Sequence, residues 1–216
     1  MKFSRSYAIA SLAVFLAFLL FSLLLLTADE TGGGFLSLAK HFSDTNLLLA
    51  ESLGRFPVFA PITNALLGLC LLIGATFAAL GAFRLIKSKS PRGVDAYLWY
   101  LGALYALTVA FYLFFEVLPV GAPSGVWAPV REYPSTHTLL AVTVLPSAAL
   151  TMKLWLRRRG IRLLADLTAG ASWILMAFGR LAAGEHVLTD VLGGILLGLS
   201  LVLLYAAFLL PLAEKR

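Results

Sequence analysis

The stretch VLTDVLGGILLGLSLVLLYAAFLL, residues 187–210, decides the fold class of this chain. Asp190 is its only charged residue, and a helix of about 20 residues is long enough to cross a hydrocarbon core of about 30 Å. Because lipid offers the backbone no hydrogen-bond partners, and because the stretch lacks the alternation of a barrel strand, it is predicted to be a transmembrane helix. The spacing of Gly194 and Gly198 further predicts close packing against another helix.

Five other apolar segments have a similar character. They are residues 7–26, 58–83, 97–120, 137–154 and 163–179. The composition agrees, since 60% of the residues are hydrophobic and 13% are charged, whereas roughly a quarter are charged in globular proteins. We therefore predict one domain, residues 1–216, that is an all-α integral membrane bundle of six transmembrane helices. The first segment exceeds the usual apolar core of a signal peptide, so we expect it to be retained.

The basic residues divide unequally between the two sides of such a bundle. If the amino terminus is cytoplasmic, that side receives most of the 17 lysines and arginines. These are Lys2, Arg5, Arg84, Lys87, Lys89, Arg92, Lys153, Arg157, Arg158, Arg159, Arg162, Lys215 and Arg216. The opposite side keeps Lys40, Arg55, Arg131 and Arg180. This positive-inside pattern predicts a cell-membrane protein with both termini in the cytoplasm. It also accounts for the net charge of +6 without a nucleic-acid partner.

The loop between the first and second segments is predicted to lie outside. It begins with acidic residues and the flexible run 32–34, which is all glycine. Residues 35–53 then mix apolar and polar side chains with the spacing of an amphipathic helix. We expect an interfacial helix there. The single cysteine, Cys70, excludes an internal disulfide and a cysteine-rich metal site.

Two polar motifs fall on the non-cytoplasmic side under this topology. They are PSTH, residues 134–137, at the mouth of the fourth span, and RLAAGEHVLTD, residues 180–190, at the mouth of the sixth. His186 and Asp190 are four residues apart, so on a helix they share a face. A carboxylate in that position fixes the tautomer of the imidazole and leaves its other nitrogen nucleophilic.

The remaining residues of the two motifs complete a site for phosphoryl transfer. Arg180 can hold two phosphate oxygens as a fork. Ser135 and Thr136 offer hydroxyl and backbone donors near a helix start, where anions are favoured. His137 is a second imidazole, suited to giving a proton to a leaving oxygen and then taking one from water. This combination predicts hydrolysis through a phosphohistidine.

Both motifs resemble signatures of the type 2 phosphatidic acid phosphatase superfamily, which includes bacterial acid phosphatases and vanadium haloperoxidases. Residues 134–137 match P-S-[GTS]-H, and residues 179–190 match S-R-x5-H-x3-D except that Gly179 replaces the serine. The resemblance implies a metal-independent membrane phosphatase without a cofactor, acting on phosphatidate-like monophosphates or polyprenyl or dolichyl diphosphates. It implies these roles: nucleophile His186, its partner Asp190, general acid/base His137, and phosphate ligands Arg180 and Ser135.

The family's first signature, K-x6-R-P, is degenerate here. If Pro123 is the motif proline, Phe115 replaces the lysine and Ala122 the arginine, so two phosphate-binding cations are missing. Arg131 lies four residues before Ser135 on the same side, and we hypothesise that it restores part of the phosphate clamp. The alternative is a weak or inactive relative.

Other interpretations remain open at this point. One is a zinc site built from His137, His186, Asp190 and Glu185, which the neighbouring cation of Arg180 disfavours. Another is a non-catalytic lipid-phosphate binder or a transport-type membrane protein.

Two acidic residues outside the motifs are expected to have structural roles. Glu116 is expected to snorkel or to pair with an outer arginine, and Asp166 is expected to pair with Arg162 one helical turn earlier.

Overall fold

A computed structural model describes residues 3–27, 36–117 and 133–213 of the chain. These residues form seven α-helices and one 3₁₀ turn, the latter at Pro91–Gly93. The helices are α1 (Arg5–Thr27), α2 (Leu36–Leu53), α3 (Phe59–Ser88), α4 (Ala96–Val117), α5 (Thr136–Met152), α6 (Arg159–Ala182) and α7 (Leu188–Ala213).

The predicted all-α membrane fold is confirmed. The six predicted spans correspond to α1 and α3–α7, and the predicted amphipathic segment 35–53 corresponds to α2. Five of the described helices are long and apolar enough to cross a membrane, and α5, with 17 residues, is shorter. Helix α3 continues to Ser88 and helix α6 begins at Arg159, both beyond the apolar segments, because a helix can carry basic residues once it reaches the polar interface.

The short helix α5 lies at the centre of the bundle. It packs against α3, α4, α6 and α7, and most of its residues are buried. A helix covered by other helices does not have to match the thickness of the lipid, and its hydroxyls can bond within the protein. Ser147 Oγ donates to the carbonyl of Thr143 at 2.6 Å, and Thr151 Oγ1 lies 2.6 Å from the hydroxyl of Tyr205.

The predicted close packing at the glycines of α7 is also confirmed. A Cβ atom at Gly194 would lie 2.6 Å from the carbonyl oxygen of Ser135, and one at Gly198 would lie 2.9 Å from Val142 on α5. Real Cβ atoms do not come this close to such neighbours. Only glycine therefore allows α7 to approach α5 at this depth. Helix α1 packs along α7 as well, and Ser11 Oγ donates to the carbonyl of Ser200 at 2.8 Å.

The predicted pairing of Asp166 with Arg162 is wrong. Asp166 Oδ1 instead lies 2.8 Å from Lys153 Nζ, at the end of α5. Arg162 Nε donates to the carbonyl of Leu156 at 2.5 Å. The spacing on one helix could not reveal that the end of α5 brings a competing cation to Asp166, nor that a nearby loop carbonyl attracts the guanidinium.

Candidate active site

The two polar motifs meet at one end of the bundle. The first turns of α5 and α7 lie there together with the last turns of α4 and α6. The backbone N–H of Ser135 donates to the carbonyl of Asp190 at 2.9 Å. This hydrogen bond joins the residue that precedes α5 directly to the first turn of α7, and so the motifs at 134–137 and 180–190 form one site.

His186 and Asp190 have the geometry expected of an oriented imidazole. His186 Nδ1 lies 3.5 Å from Asp190 Oδ2, and both residues are buried. The same carboxylate oxygen accepts a hydrogen bond from the backbone N–H of Val187 at 3.2 Å, which fixes Asp190 in the first turn of α7. The carboxylate is therefore on the Nδ1 side of the ring, and Nε2 faces away from it.

A tight turn between α6 and α7 places Arg180 beside His186. The carbonyl of Arg180 accepts hydrogen bonds from the backbone N–H groups of Glu185 at 3.2 Å and His186 at 3.3 Å. Gly184 has a φ of +71°, a conformation in which residues with a side chain are strained. The glycine thus allows the chain to reverse so that the arginine and the imidazole of one motif face the same space.

The guanidinium of Arg180 is buried and in contact with a carboxylate. Arg180 is 6% exposed, and its Nη1 forms an ion pair with Glu185 Oε2. A buried arginine with this partner is held in a defined position. A phosphate that binds here would meet a guanidinium that already has one anionic neighbour.

His137 belongs to the same cluster. It interacts electrostatically with both Arg180 and His186. Its Nδ1 atom is buried and has no hydrogen-bond partner among residues 3–27, 36–117 and 133–213. The structure therefore brings together the two imidazoles and the arginine that the sequence predicted as site residues.

Ser135 and Thr136 organise the start of α5. Ser135 is fully buried, and its Oγ accepts hydrogen bonds from the backbone N–H of Thr138 at 3.4 Å and from Thr138 Oγ1 at 3.0 Å. It is the N-cap of α5. Thr136 Oγ1 donates to Glu116 Oε1 at 3.0 Å. Glu116 thus joins the site from the end of α4. Arg131, the other predicted phosphate ligand, lies outside the described residues.

Two residues next to the site were missed by the sequence analysis. Asn46 on α2 makes two hydrogen bonds to Thr189, in which Asn46 Nδ2 donates to Thr189 Oγ1 at 2.9 Å and Asn46 Oδ1 accepts from its backbone N–H at 3.2 Å. Arg55 Nε donates to the carbonyl of Ala183 at 3.2 Å. They hold α2 and the chain after it against the turn that carries His186. No motif marks either residue, because each contact joins parts of the chain more than 100 residues apart.

The glycine that replaces the motif serine has a structural partner. A Cβ atom at Gly179 would lie 2.6 Å from Thr63 Cγ2 on α3. Thr63 is fully buried, and its hydroxyl donates to the carbonyls of Phe59 and Ala60, so its rotamer is fixed by bonds within its own helix. The methyl group of Thr63 fills the space that a serine side chain at 179 would need.

The alternative interpretation, a zinc site, has no suitable set of ligands in the part of the chain that the structure describes. Within those residues, no group of three or more His, Cys, Asp or Glu side chains is placed to hold a metal ion. Glu185 instead pairs with Arg180, and Asp190 lies beside His186.

Comparisons with known proteins agree with this architecture. A structural match is a transmembrane PAP2-type phosphatidylglycerolphosphate phosphatase from Bacillus subtilis, with a TM-score of 0.59 and 24% sequence identity, covering 95% of this chain and 96% of that one. At this identity the match shows a shared fold. No curated protein matches the chain significantly. The family model of the PAP2 superfamily matches residues 97–212, which cover α4–α7 to within one residue at each end and contain both motifs. This chain therefore belongs to the PAP2 superfamily.

Proposed function

We propose that the protein is a membrane phosphatase that hydrolyses a lipid phosphate through a phosphohistidine formed on His186. One observation carries the proposal, namely that the bond from Ser135 N to Asp190 O joins the two motifs. His186, Asp190, His137 and Arg180 thereby lie in one cluster at the end of the bundle. Nucleophile, orienting carboxylate, acid/base and phosphate clamp are the components that this reaction requires.

The proposed reaction has two steps. In the first, His186 Nε2 attacks phosphorus, the bond from phosphorus to the lipid oxygen breaks, and His137 gives that oxygen a proton. In the second, His137 takes a proton from water, the resulting hydroxide attacks the phosphohistidine, and the bond from nitrogen to phosphorus breaks to release inorganic phosphate. Asp190 holds the ring of His186 throughout, and Arg180 stabilises charge on the phosphoryl oxygens.

The charge distribution supports a site on the non-cytoplasmic side. The turn between α3 and α4 and the segment between α5 and α6 carry most of the basic residues of the described loops, and both lie at the end of the bundle opposite to the candidate site. Basic loops favour the cytoplasmic side. We therefore place both termini in the cytoplasm and the head group of the substrate outside.

The proposed substrates are lipids with a terminal phosphate. Such a lipid can approach from the membrane while its phosphate reaches the cluster at the end of the helices. The classes proposed are phosphatidate-like monophosphates and polyprenyl or dolichyl diphosphates. Phosphatidylglycerol phosphate also enters the test, because the structural match from Bacillus subtilis is a phosphatase for it.

A panel of lipid phosphates tests the proposal directly. Purified protein is incubated with phosphatidate, phosphatidylglycerol phosphate and a polyprenyl diphosphate in the presence of EDTA, and released phosphate is measured. We expect turnover of at least one lipid that survives EDTA and is lost in the variant His186→Ala. Turnover that EDTA abolishes would contradict the metal-independent mechanism.

A second candidate function is a non-catalytic lipid-phosphate binder or a transport-type protein. It is favoured by Phe115 and Ala122 in place of the two cations of the first signature, and by the pairing of Arg180 with Glu185. Retained binding of the same lipids without release of phosphate from any of them would support this function and exclude the phosphatase.

Arg131 is proposed to replace part of the missing phosphate clamp. A hydrogen bond to a charged group contributes about 1.5–3 kcal/mol, so we expect Arg131→Ala to lower kcat/KM by about 10- to 150-fold. Arg131→Lys keeps the charge and should recover a large part of this loss. The test is steady-state kinetics on the best lipid of the panel. Equal kcat/KM in Arg131→Ala and the unmodified protein would remove Arg131 from the site.

A further inference from the structure

A large apolar crevice lies between α3 and α4, away from the candidate active site. Its volume is about 700 Å³, within the range of roughly 300–1,000 Å³ of small-molecule sites. Buried Cys70, Leu98 and Leu140 form part of its floor, whereas Leu71 and Trp99 on its rim are 57% and 49% exposed. The crevice therefore opens sideways, towards the position of lipid chains.

The space exists because small residues line the facing helices. A Cβ atom at Gly81 of α3 or at Gly102 of α4 would have no neighbour within 4 Å. Along α3 the lining runs from Cys70 to Leu85, which is about 22 Å at 1.5 Å of rise per residue. One leaflet of a hydrocarbon core of about 30 Å is shorter than this. The crevice is thus long enough to take an acyl chain at the full depth of a leaflet.

Basic residues stand at one end of the crevice. This end reaches Leu85 and Val94, on either side of the turn between α3 and α4, at the end of the bundle opposite to the candidate active site. Exposed Lys89 and Arg92 lie in that turn, and neither forms an ion pair with a described residue, whereas Arg84 lies 3.4 Å from Asp95.

A tryptophan fixes the turn at the rim. Trp99 Nε1 donates to the carbonyl of Pro91 at 3.3 Å, so the indole connects the apolar crevice to the turn that carries Lys89 and Arg92. Tryptophan and clustered basic residues are both typical of the boundary where phospholipid head groups lie. The apolar groove thus lies at the depth of a phospholipid's acyl chain, and its cationic end lies at the depth of the head-group phosphate.

We propose that the crevice binds an anionic phospholipid of the leaflet opposite to the candidate active site. One acyl chain lies between α3 and α4, and the head-group phosphate lies against Lys89 and Arg92. Charge distinguishes this occupant from a helix of a second copy. Copies inserted in the same orientation would bring their own basic turns to the same depth, and like charges would then face each other.

Native mass spectrometry of the full-length protein, in detergent with equal amounts of dioleoyl phosphatidylglycerol and dioleoyl phosphatidylcholine, tests the proposal. We expect the unmodified protein to retain phosphatidylglycerol in at least threefold preference. The double variant Gly81→Leu/Gly102→Leu fills the groove and should lower the retention of phosphatidylglycerol at least threefold. Lys89→Gln/Arg92→Gln leaves the groove open and should bring the preference close to one.

Gly68→Leu is the matched control for the filled groove. Gly68 is also on α3 with open space around its Cβ position, but it does not line the crevice. Lipid held at the active site appears equally in every variant, so the difference from this control reports the crevice. Equal retention in the filled and control variants would overturn the proposal. So would a dimer that the filled groove abolishes, which would identify a second copy as the occupant.

The outcome is separable from the proposed phosphatase activity. Release of phosphate from the lipid panel is measured on the same preparations. Loss of lipid retention with unchanged turnover supports the crevice as a second site. Absence of turnover in all preparations would contradict the proposed phosphatase and would leave the lipid-binding proposal unaffected.

Discussion

Replacing His186 with Gln is expected to lower kcat by about 10⁴- to 10⁶-fold, the size of effect seen when an enzyme loses its nucleophile. Glutamine keeps polarity and similar volume but has no nitrogen able to attack phosphorus. The imidazole is buried with Asp190 on its Nδ1 side, and no other described histidine has this arrangement. A second consequence follows from the covalent step. Labelled lipid phosphate should give an acid-labile, base-stable phosphoprotein in the unmodified chain and none in the variant.

Asp190→Asn separates the electrostatic role of the carboxylate from its structural role. The amide oxygen can still accept the hydrogen bond from Val187 N, so the first turn of α7 keeps its cap. The charge beside Nδ1 is lost, and we expect a decrease in kcat of up to about 10⁴-fold, as in a catalytic triad with the same change.

His41→Gln is the control for both variants, because His41 is the third histidine of the chain and lies outside both motifs. It should leave kcat within about twofold, as expected for a residue without a part in the reaction. A His186→Gln variant that turns over lipid phosphate at the rate of this control would exclude the phosphohistidine mechanism.

The sequence was sufficient to predict the helices and to place the two polar motifs at one end of the bundle. Long apolar segments predict transmembrane helices, because the backbone must satisfy its own hydrogen bonds in lipid. The spacing of His186 and Asp190 predicted a common helix face, but α7 begins only at Leu188, and His186 lies in the turn before it. Their approach to 3.5 Å depends on that turn, whereas the position of the two motifs at one end was predictable, because the number of intervening spans determines it.

Contacts that depend on how the chain turns and where helices come to rest were not predictable in the same way. The hydrogen bonds between Asn46 and Thr189 depend on where α2 comes to rest, and no periodicity encodes that position. The ion pair of Arg180 with Glu185 depends on the turn at Gly184. The crevice between α3 and α4 is a property of how two helices diverge, which small residues permit but do not require.

The fold and the site share one structural requirement, the close approach of α5 and α7. The carbonyl of Ser135 lies over Gly194, and the N–H of Ser135 donates to Asp190 one helical turn earlier. The same residue thus marks both a close contact of α7 and the connection between the two motifs. A side chain that separates the helices should for this reason affect stability and catalysis together.

Gly194→Ala is expected to lower the thermal unfolding temperature and to reduce activity by at least tenfold. Its Cβ atom would lie 2.6 Å from the carbonyl oxygen of Ser135 and 3.1 Å from Thr138 Cβ. A backbone atom cannot rotate away, so the helices must shift, and overpacking of this kind costs about 1–3 kcal/mol. Gly194→Leu should prevent recovery of folded protein. Unfolding is followed in detergent, and activity is measured on the best lipid of the panel.

Gly170→Ala on α6 provides the matched comparison, because a Cβ atom there would have no neighbour within 4 Å. Alanine is favoured over glycine inside a helix by about 1 kcal/mol, so this variant should unfold at an equal or higher temperature with unchanged kcat/KM. The two variants make the same chemical change and differ only in what the added methyl group meets. If Gly194→Ala matches Gly170→Ala in both unfolding temperature and activity, the contact between α5 and α7 does not hold the site together, and the connection through Ser135 has no functional role.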